Sequence, residues 1–228
     1  MAKYSGEEKS GKLGDVIYSS WNGRPYTRRR PEKVANPRTE AQQAHRNAFA
    51  EISRLSSAMK EGHSVGLHWL AVRQKLNTFS VFKKLNKDCY GVDGIDYPRI
   101  RISYGGVSVV SVTSAEIDAQ GVIKVTFEGS DTTEDKSEKF WLYVFCPDLH
   151  EGFYARPVAR SSGVVTAVTR EEWKGHVLYL YAFVKDRKGR TSNTIYVGQF
   201  SNNTMNREID GIHNCLTEEQ EVPQKLNE

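Results

Sequence analysis

Between residues 39 and 200 the spacing of apolar residues changes near residue 98, and this change limits the possible folds more than any other feature. Before it, apolar residues recur every three or four positions, as on one face of a helix. After it, they alternate with polar residues, as in half-buried strands. The turn-rich segment from Tyr90 to Pro98 separates the two patterns. The sequence therefore predicts an α+β protein, with a helical region at 39–90 and an antiparallel β-sandwich at 99–200.

Two helices are predicted in the helical region. The first runs from about Glu40 to Lys60 and begins with a capping box, in which the side chains of Thr39 and Gln42 each bind the other residue's amide. Its apolar stripe consists of Ala41, Ala44, Ala48, Ile52, Leu55 and Met59, with Phe49 alongside. The second helix runs from about Ser64 to Lys87, and its apolar face includes Trp69, Val72, Leu76 and Phe79.

Roughly seven short alternating runs follow residue 99, which is typical of an antiparallel sandwich. Polar or glycine-containing turns separate the runs, and the absence of helical patterns between them argues against a parallel βαβ sheet. Cys146 lies in the apolar run FWLYVFC and is expected to be a small core residue. The three cysteines include no CxxC pair, so a zinc site of ordinary spacing is not expected, whereas a disulfide between two of them stays open.

The residues before the first helix, 1–38, are predicted to form a basic extended arm. Asn22-Gly23 lies between IYSSW and RPYTR and therefore predicts a hairpin with a two-residue turn. Pro25 cannot donate a ladder hydrogen bond, so the second strand of this hairpin should lie at an edge. Further prolines keep the following chain extended. We therefore expect Arg28 and Arg30 to point one way and Arg29 the other.

Charge is distributed unevenly along the chain. Residues 1–90 contain 17 Lys and Arg against 8 Asp and Glu, a net charge of +9. Residues 91–228 contain 15 against 20, a net charge of −5, and the polar tail at 201–228 ends acidic. Such asymmetry indicates either a basic half that faces an anionic partner or a solvated helical surface.

Four short motifs follow one another near the N-terminus. They span Gly11 to Gly14, Trp21 to Gly23, Arg28 to Pro31, and Asn36 to Arg46. In this order they resemble an uncharacterised bacterial and phage-associated domain-of-unknown-function family. The resemblance continues more weakly through the helices and the sandwich. It implies no activity that could be transferred, and it associates the chain with phage structural genes.

The C-terminal strands carry a second resemblance. Residues 176–197 resemble the last two strands of a fibronectin type III or immunoglobulin-like sandwich. In that case Tyr179 or Tyr181 would be the tyrosine near the penultimate strand. The Cys…Trp…Cys spacing of antibody domains is missing, which favours the fibronectin-like version.

Catalytic and cofactor motifs are missing from the sequence. Of the six histidines, only His63 and His68 are close, and their i,i+5 spacing does not align two ligands on one helical face. Neither a nucleophile elbow nor a phosphate-binding or dinucleotide-binding glycine loop occurs. We therefore expect no enzymatic activity, no cofactor and no metal.

The basic arm is the strongest candidate for a functional site. Extended arginines beside aromatic rings can bind an acidic protein surface, including the acidic tail of a neighbouring copy, or they can contact phosphates and stack on bases. The candidate partner-binding residues are Trp21, Arg24, Tyr26, Arg28, Arg29, Arg30, Lys33 and Arg38.

These observations predict a non-enzymatic structural or interaction protein, a subunit or accessory component of a larger assembly of phage-virion or mobile-element origin. Its expected partner is another protein or a second copy of itself. One alternative is a nucleic-acid-binding accessory protein that uses the basic arm. Another is a carbohydrate-binding or surface-binding module with Tyr143, Tyr154 and Trp173 as its aromatic candidates.

Location is predicted only coarsely. No run of about 18 apolar residues is present, so no transmembrane helix is expected. The N-terminal residues lack the apolar stretch of a secretory signal. We therefore expect a cytoplasmic or virion protein.

Overall fold

The computed structural model describes residues 3–5, 8–21, 23–32, 38–91, 94–129 and 137–201. By the contacts within it, the chain divides into two compact units, Met1–Ala44 and His45–Glu228. The first unit contains an antiparallel sheet, and the second combines helices with a two-sheet sandwich. The mixed α+β class predicted from the sequence is confirmed.

The N-terminal sheet is a four-stranded antiparallel meander. Its strands are β1 (Lys3–Ser5), β2 (Glu8–Leu13), β3 (Val16–Trp21) and β4 (Arg24–Arg29), and they lie side by side in chain order. The predicted hairpin is β3 and β4, joined by a two-residue turn. β4 is an edge strand, as Pro25 required. The structure adds two strands that the sequence pattern did not predict.

The first helix begins where the sequence predicts. It is α1 (Glu40–Ala58), and the Gln42 amide donates to the Thr39 hydroxyl across a long 3.4 Å. The second half of the predicted capping box differs, because the Gln43 side chain donates to the Arg38 carbonyl at 3.2 Å. The buried residues Ile52 and Leu55 lie in the C-terminal half of α1.

Three short helices occupy the region in which one second helix was predicted. They are α2 (Lys60–Gly66), α3 (His68–Gln74) and α4 (Thr78–Leu85). Lys75 adopts a left-handed conformation with φ 54° and ends α3, and the Asn77 side chain accepts the Ser80 amide at 2.7 Å and starts α4. The predicted apolar face is also different, since Val72 and Leu76 are exposed. The buried apolar residues of these three helices and of the residue between α2 and α3 are Leu67, Leu70, Ala71, Val81 and Phe82.

A short connecting segment leads from the helices to the sandwich. It contains β5 (Tyr90–Gly91), β6 (Gly94–Ile95) and a 3₁₀ turn at Tyr97–Arg99. Two partly buried hydrogen bonds hold the chain next to this segment. The Asn86 side chain accepts the Arg101 amide at 2.7 Å, and the Thr194 hydroxyl accepts the Ser103 amide at 2.8 Å.

Over the described residues 99–129 and 137–201, the sandwich contains eight strands in two antiparallel sheets. The strands are β7 (Val112–Ile117), β8 (Val122–Phe127), β9 (Lys139–Cys146), β10 (Glu151–Tyr154), β11 (Val158–Ala159), β12 (Val164–Val168), β13 (Val177–Lys185) and β14 (Ile195–Ser201). One sheet has the order β12-β8-β7, and the other has the order β10-β9-β13-β14, with β11 also paired to β9. The alternating runs predicted an antiparallel sandwich but not its strand order, which the structure supplies.

Strands β9 and β13 are buried on both faces. Leu142 and Leu180 point into the core between the two sheets, whereas Tyr143, Phe145 and Phe183 pack against the helices. The helices therefore form a third layer on this sheet, and the helical and strand regions lie in one compact unit. This double burial explains why FWLYVFC reads as an almost continuous apolar run.

Two predictions about individual core residues can be compared with this structure. Cys146 is fully buried between the sheets, as expected, and both it and the buried Cys89 are free thiols. Cys215 lies outside the described residues. Tyr181 donates its hydroxyl to the Tyr97 carbonyl at 2.9 Å. It therefore ties β13 to the connecting segment far away in sequence, instead of bonding a few residues upstream as a tyrosine corner does.

Candidate partner-binding surface on the N-terminal sheet

Strand register gathers four of the predicted residues on one face of the N-terminal sheet. Trp21 lies opposite Arg24, Ser19 opposite Tyr26, and Ile17 opposite Arg28. Because alternate residues of a strand share a face, the side chains of directly opposed pairs lie on the same side. β2 adds one more cation to this side. The aromatic-basic face, as it is called below, consists of Lys12, Trp21, Arg24, Tyr26 and Arg28.

The aromatic-basic face is strongly exposed. Every residue of β4 is exposed. Trp21 is 71% exposed and Tyr26 is 45% exposed, although large aromatic residues are usually well buried. In the isolated chain, the two aromatic rings beside the arginines are therefore largely in contact with water. Covering this surface with a partner would therefore remove apolar area from water.

The remaining predicted residues lie elsewhere. Arg29 is on the opposite side of β4, and its guanidinium lies 3.6 Å from the Glu32 carboxylate, with both side chains largely in solvent. Arg30 follows the strand, and its amide donates to the Asp15 carbonyl at 2.6 Å. Arg38 is exposed just before α1. Lys33 lies outside the described residues. The structure thus divides the predicted set instead of placing it in one cluster.

Sequence patterns did not indicate Lys12. On β2 it lies opposite Ile17 of β3, and Ile17 in turn lies opposite Arg28 of β4. Gly14, with φ 58° in the turn between β2 and β3, is the sequence feature that could have revealed it, because a glycine-containing turn before VIYSSW predicts a further strand.

Positive charge dominates this part of the sheet. Residues 10–30 contain five cationic side chains and one anionic side chain, that of Asp15. Arg24 and Arg28 share one face of one strand at a backbone separation of about 13 Å. Lys12 and Arg28 flank Ile17 on the same face, two strand spacings apart, so both add to the positive potential of this face. An anionic partner would be attracted to this potential.

The three aromatic residues considered for carbohydrate binding do not form an exposed surface. Tyr143 and Trp173 are fully buried. Tyr154 is partly buried, and its hydroxyl donates to the Gly62 carbonyl. Burial raises the pKa of the Tyr154 phenol well above its usual value. These rings belong to the core and are not available to stack on a sugar.

The N-terminal motifs can now be compared with known families. Residues 8–198 match DUF6266, a family of unknown function. The chain belongs to DUF6266. This match confirms the resemblance to an uncharacterised family that the four motifs suggested. No curated protein gives a significant match to the chain.

The geometry gives the four N-terminal motifs of this DUF6266 chain a physical meaning. Gly14 and Gly23 both lie in turns of the N-terminal sheet and have φ of 58° and 77°. Residues with side chains rarely adopt this backbone conformation, so these glycines suit the tight turns of the meander. The motif residues Trp21 and Arg28 then come to share the aromatic-basic face. Part of the N-terminal motif pattern of this chain therefore describes how this surface is built.

Two further observations concern what the described residues contain. Within them, no helix combines the length and apolar character that crossing a bilayer requires. In the same part of this DUF6266 chain, no group of three or more His, Cys, Asp or Glu side chains is placed to share a metal ion.

Proposed function

We propose that this DUF6266 chain is a non-enzymatic interaction protein, a subunit or accessory component of a larger assembly, that self-associates through its N-terminal sheet. The observation that carries this proposal is the exposure of Trp21 and Tyr26 beside Arg24 and Arg28 on one sheet face. The origin of the assembly in a phage or a mobile element stays a prediction from the N-terminal motifs.

The composition of the aromatic-basic face supports binding to protein. Trp, Tyr and Arg are the residue types most enriched among the residues that dominate protein–protein binding energy. The face also lies on paired strands, so its side chains start from a fixed backbone and lose less freedom when they bind. An exposed sheet face of this kind suits a broad contact with another folded chain.

Sedimentation velocity of the full chain over a range of concentrations tests this proposal. Trp21→Ala/Tyr26→Ala is expected to weaken self-association at least tenfold, because it removes the two exposed rings. Val72→Ala/Leu76→Ala is the matched control, since these apolar residues of the helical region are 65% and 45% exposed. A single-chain mass at every concentration, or equal weakening in both variants, would contradict the proposal.

Nucleic-acid binding is the second candidate, and one observation favours it. Trp21 and Tyr26 alternate with Arg24 and Arg28 on one face, an arrangement in which rings could stack on bases while arginines bind phosphates. Affinity for a labelled single-stranded oligonucleotide would then fall steeply with salt, with a logarithmic slope of about 0.7 for each phosphate that the protein neutralises. Arg24→Ala/Arg28→Ala would lower that slope. Salt-independent or undetectable binding would remove this candidate.

A further inference from the structure

We infer that the free edge of β4 accepts an extended acidic segment as a fifth strand, and that residues 216–222 of a second copy of the chain supply this segment. This inference rests on the proposed function and names the partner of the same site. It concerns the backbone of the edge strand as well as the side chains of the aromatic-basic face.

Among the described strands, β4 pairs only with β3, so the backbone groups at its other edge have no strand partner there. In an antiparallel hairpin with a two-residue turn, the residue pair next to the turn is hydrogen-bonded. Along the strands, such pairs alternate with pairs whose backbone N–H and C=O groups point away from the partner strand. Trp21 and Arg24 form the first pair, so Pro25, Thr27 and Arg29 direct their backbone groups away from β3. The hydrogen bond from the Arg30 amide to the Asp15 carbonyl continues this alternation.

The position of Pro25 is consistent with a usable edge. Proline lacks an amide proton, and here it occupies one of the outward positions, so the ladder with β3 loses nothing. Thr27 and Arg29 still offer two outward amides, and the carbonyls of all three residues are also directed outward. An added strand could therefore make several main-chain hydrogen bonds, as in other cases of strand addition.

The charges of β4 indicate which kind of strand can be added. A second copy of β4 would bring arginines of one copy against arginines of the other, and like charges across a strand pair are unfavourable. An acidic strand would instead place carboxylates beside Arg24 and Arg28 on one side and Arg29 on the other. The expected occupant is therefore acidic and extended.

Residues 216–222, LTEEQEV, have the required sequence pattern. In an extended segment, Glu219 and Glu221 share one face and Glu218 lies on the other. The anions of the segment and the cations of β4 are therefore both divided two on one face and one on the other. Glu219 and Glu221 are two residues apart and Arg24 and Arg28 are four, so one carboxylate can lie opposite an arginine while the other lies opposite Tyr26, diagonal to the second arginine. No Lys or Arg occurs between positions 208 and 224, and Pro223 follows the segment.

The length of the chain after the sandwich allows contact with another molecule. β14 ends at Ser201, and the 14 residues 202–215 precede the acidic segment. Fully extended, they span up to about 46 Å. Two copies that exchange their C-terminal segments would each fill the other's edge, which gives the closed two-fold symmetry common among homodimers.

A charge exchange tests this inference on the full chain. Arg24→Glu/Arg28→Glu and Glu219→Lys/Glu221→Lys are each expected to weaken self-association at least tenfold in sedimentation velocity. The four substitutions combined in one chain should restore it, because the opposed charges are exchanged. Glu208→Lys/Asp210→Lys makes the same charge change as the Glu219/Glu221 variant, but elsewhere in the tail. Lys84→Glu/Lys87→Glu makes the same charge change as the Arg24/Arg28 variant, but at the C-terminal end of α4. Both controls should leave the association unchanged.

A proline substitution tests the strand addition itself. Thr27→Pro removes an outward amide and leaves the ladder with β3 intact, so it should also weaken self-association while the circular dichroism spectrum stays unchanged. Unchanged self-association in Thr27→Pro would overturn the added strand.

The outcomes separate this inference from the proposed function. If the β4 variant loses self-association and the Glu219/Glu221 variant does not, the acidic segment is not the occupant, and the proposed function stands. If the combined variant fails to restore association, or Glu208→Lys/Asp210→Lys weakens it equally, direct pairing of the segment with β4 is overturned. If no variant of β4 changes the association, both the inference and the proposed function fail.

Discussion

Trp21 and Arg24 lie directly opposite each other on β3 and β4, separated by a turn of only two residues. Gly23 in this turn has a φ of 77°, and a Cβ added there would meet nothing within 4 Å. The turn therefore depends on the backbone freedom of glycine and not on space for a side chain. Since the turn sets the register, it also sets which residues share the aromatic-basic face.

Gly23→Ala should loosen this hairpin. An alanine in the left-handed region costs about 1 kcal/mol or more, which corresponds to roughly fivefold faster amide exchange if the hairpin opens locally. Hydrogen exchange at the Ser19 and Tyr26 amides measures this effect. Gly106→Ala is the control, because a Cβ there also meets nothing and the glycine needs no positive φ. Equal exchange rates in both variants would contradict the role of the turn.

The hairpin could be predicted from sequence because its determinants are local. Asn-Gly between two β-prone runs selects a two-residue turn, and a proline in the second run selects an edge. The β1 and β2 strands were missed because their residues are polar and show no clear alternation. Without β2, Lys12 could not be placed opposite Ile17, and so part of the site was missed.

The helical region could be predicted only in part, because a period of three or four residues does not show where a helix breaks. Trp69 and Val72 have helical spacing, yet the chain changes direction after α3 at Lys75. Asn77 three residues before Ser80 is the N-cap pattern that could have indicated a new helix. The packing of helices on β9 and β13 depends on contacts between distant residues, which no local pattern contains.

The ion pair between Arg160 and Glu138 should be important for stability. The Arg160 Nη1 atom lies 2.6 Å from the Glu138 Oε2 atom, and the two side chains are only 9% and 15% exposed, respectively. Arg160→Met would leave a carboxylate without its cation in a nearly dry site, at a cost of about 3 kcal/mol in the free energy of unfolding. Urea unfolding measures this cost.

Two variants control for other effects at this ion pair. Lys124→Met breaks a pair with Glu116 that is more than half exposed, so it should cost at most about 0.5 kcal/mol. Arg160→Met combined with Glu138→Leu should recover most of the stability, since neither charge remains buried. An Arg160→Met variant no less stable than Lys124→Met would show that this pair is not stabilising.

Gly152 should not tolerate a side chain. A Cβ built on this residue of β10 would overlap the Tyr143 hydroxyl oxygen and its Cζ atom, and Tyr143 is fully buried between the sheet and the helices. Gly152→Ala is therefore expected to lower the free energy of unfolding by about 3 kcal/mol through overpacking. Adding Tyr143→Phe should recover part of this stability by removing the hydroxyl.

The control for Gly152 is Gly91→Ala, where a Cβ meets nothing within 4 Å. Its free energy of unfolding in urea should stay within about 0.5 kcal/mol of the wild type. If Gly152→Ala behaves like Gly91→Ala, the close approach of β10 to Tyr143 is not a packing constraint.

His63 should make the stability of the fold depend on pH. Its Nε2 lies 2.9 Å from the Ser56 carbonyl oxygen, to which it donates, and its ring contacts Phe79 and Phe82. Burial is the main cause that lowers the pKa of His63 below 6.5, and the positive charge of Lys60 lowers it further. The bond to Ser56 opposes both effects by favouring the charged ring.

The sign of the pH effect follows from this lowered pKa. As pH falls below about 6.5, His63 in the unfolded chain takes up a proton before the folded chain does, so the free energy of unfolding declines. The decline ends once pH is below the folded pKa. Urea unfolding between pH 7.5 and 5 should therefore show a decline that His63→Leu reduces and that His45→Gln, at an exposed position, does not. If the free energy of unfolding falls equally steeply with pH in the wild type and in His63→Leu, another group is responsible for the decline. His63→Leu removes the imidazole, so any part of the decline that is due to proton uptake by His63 must disappear in this variant.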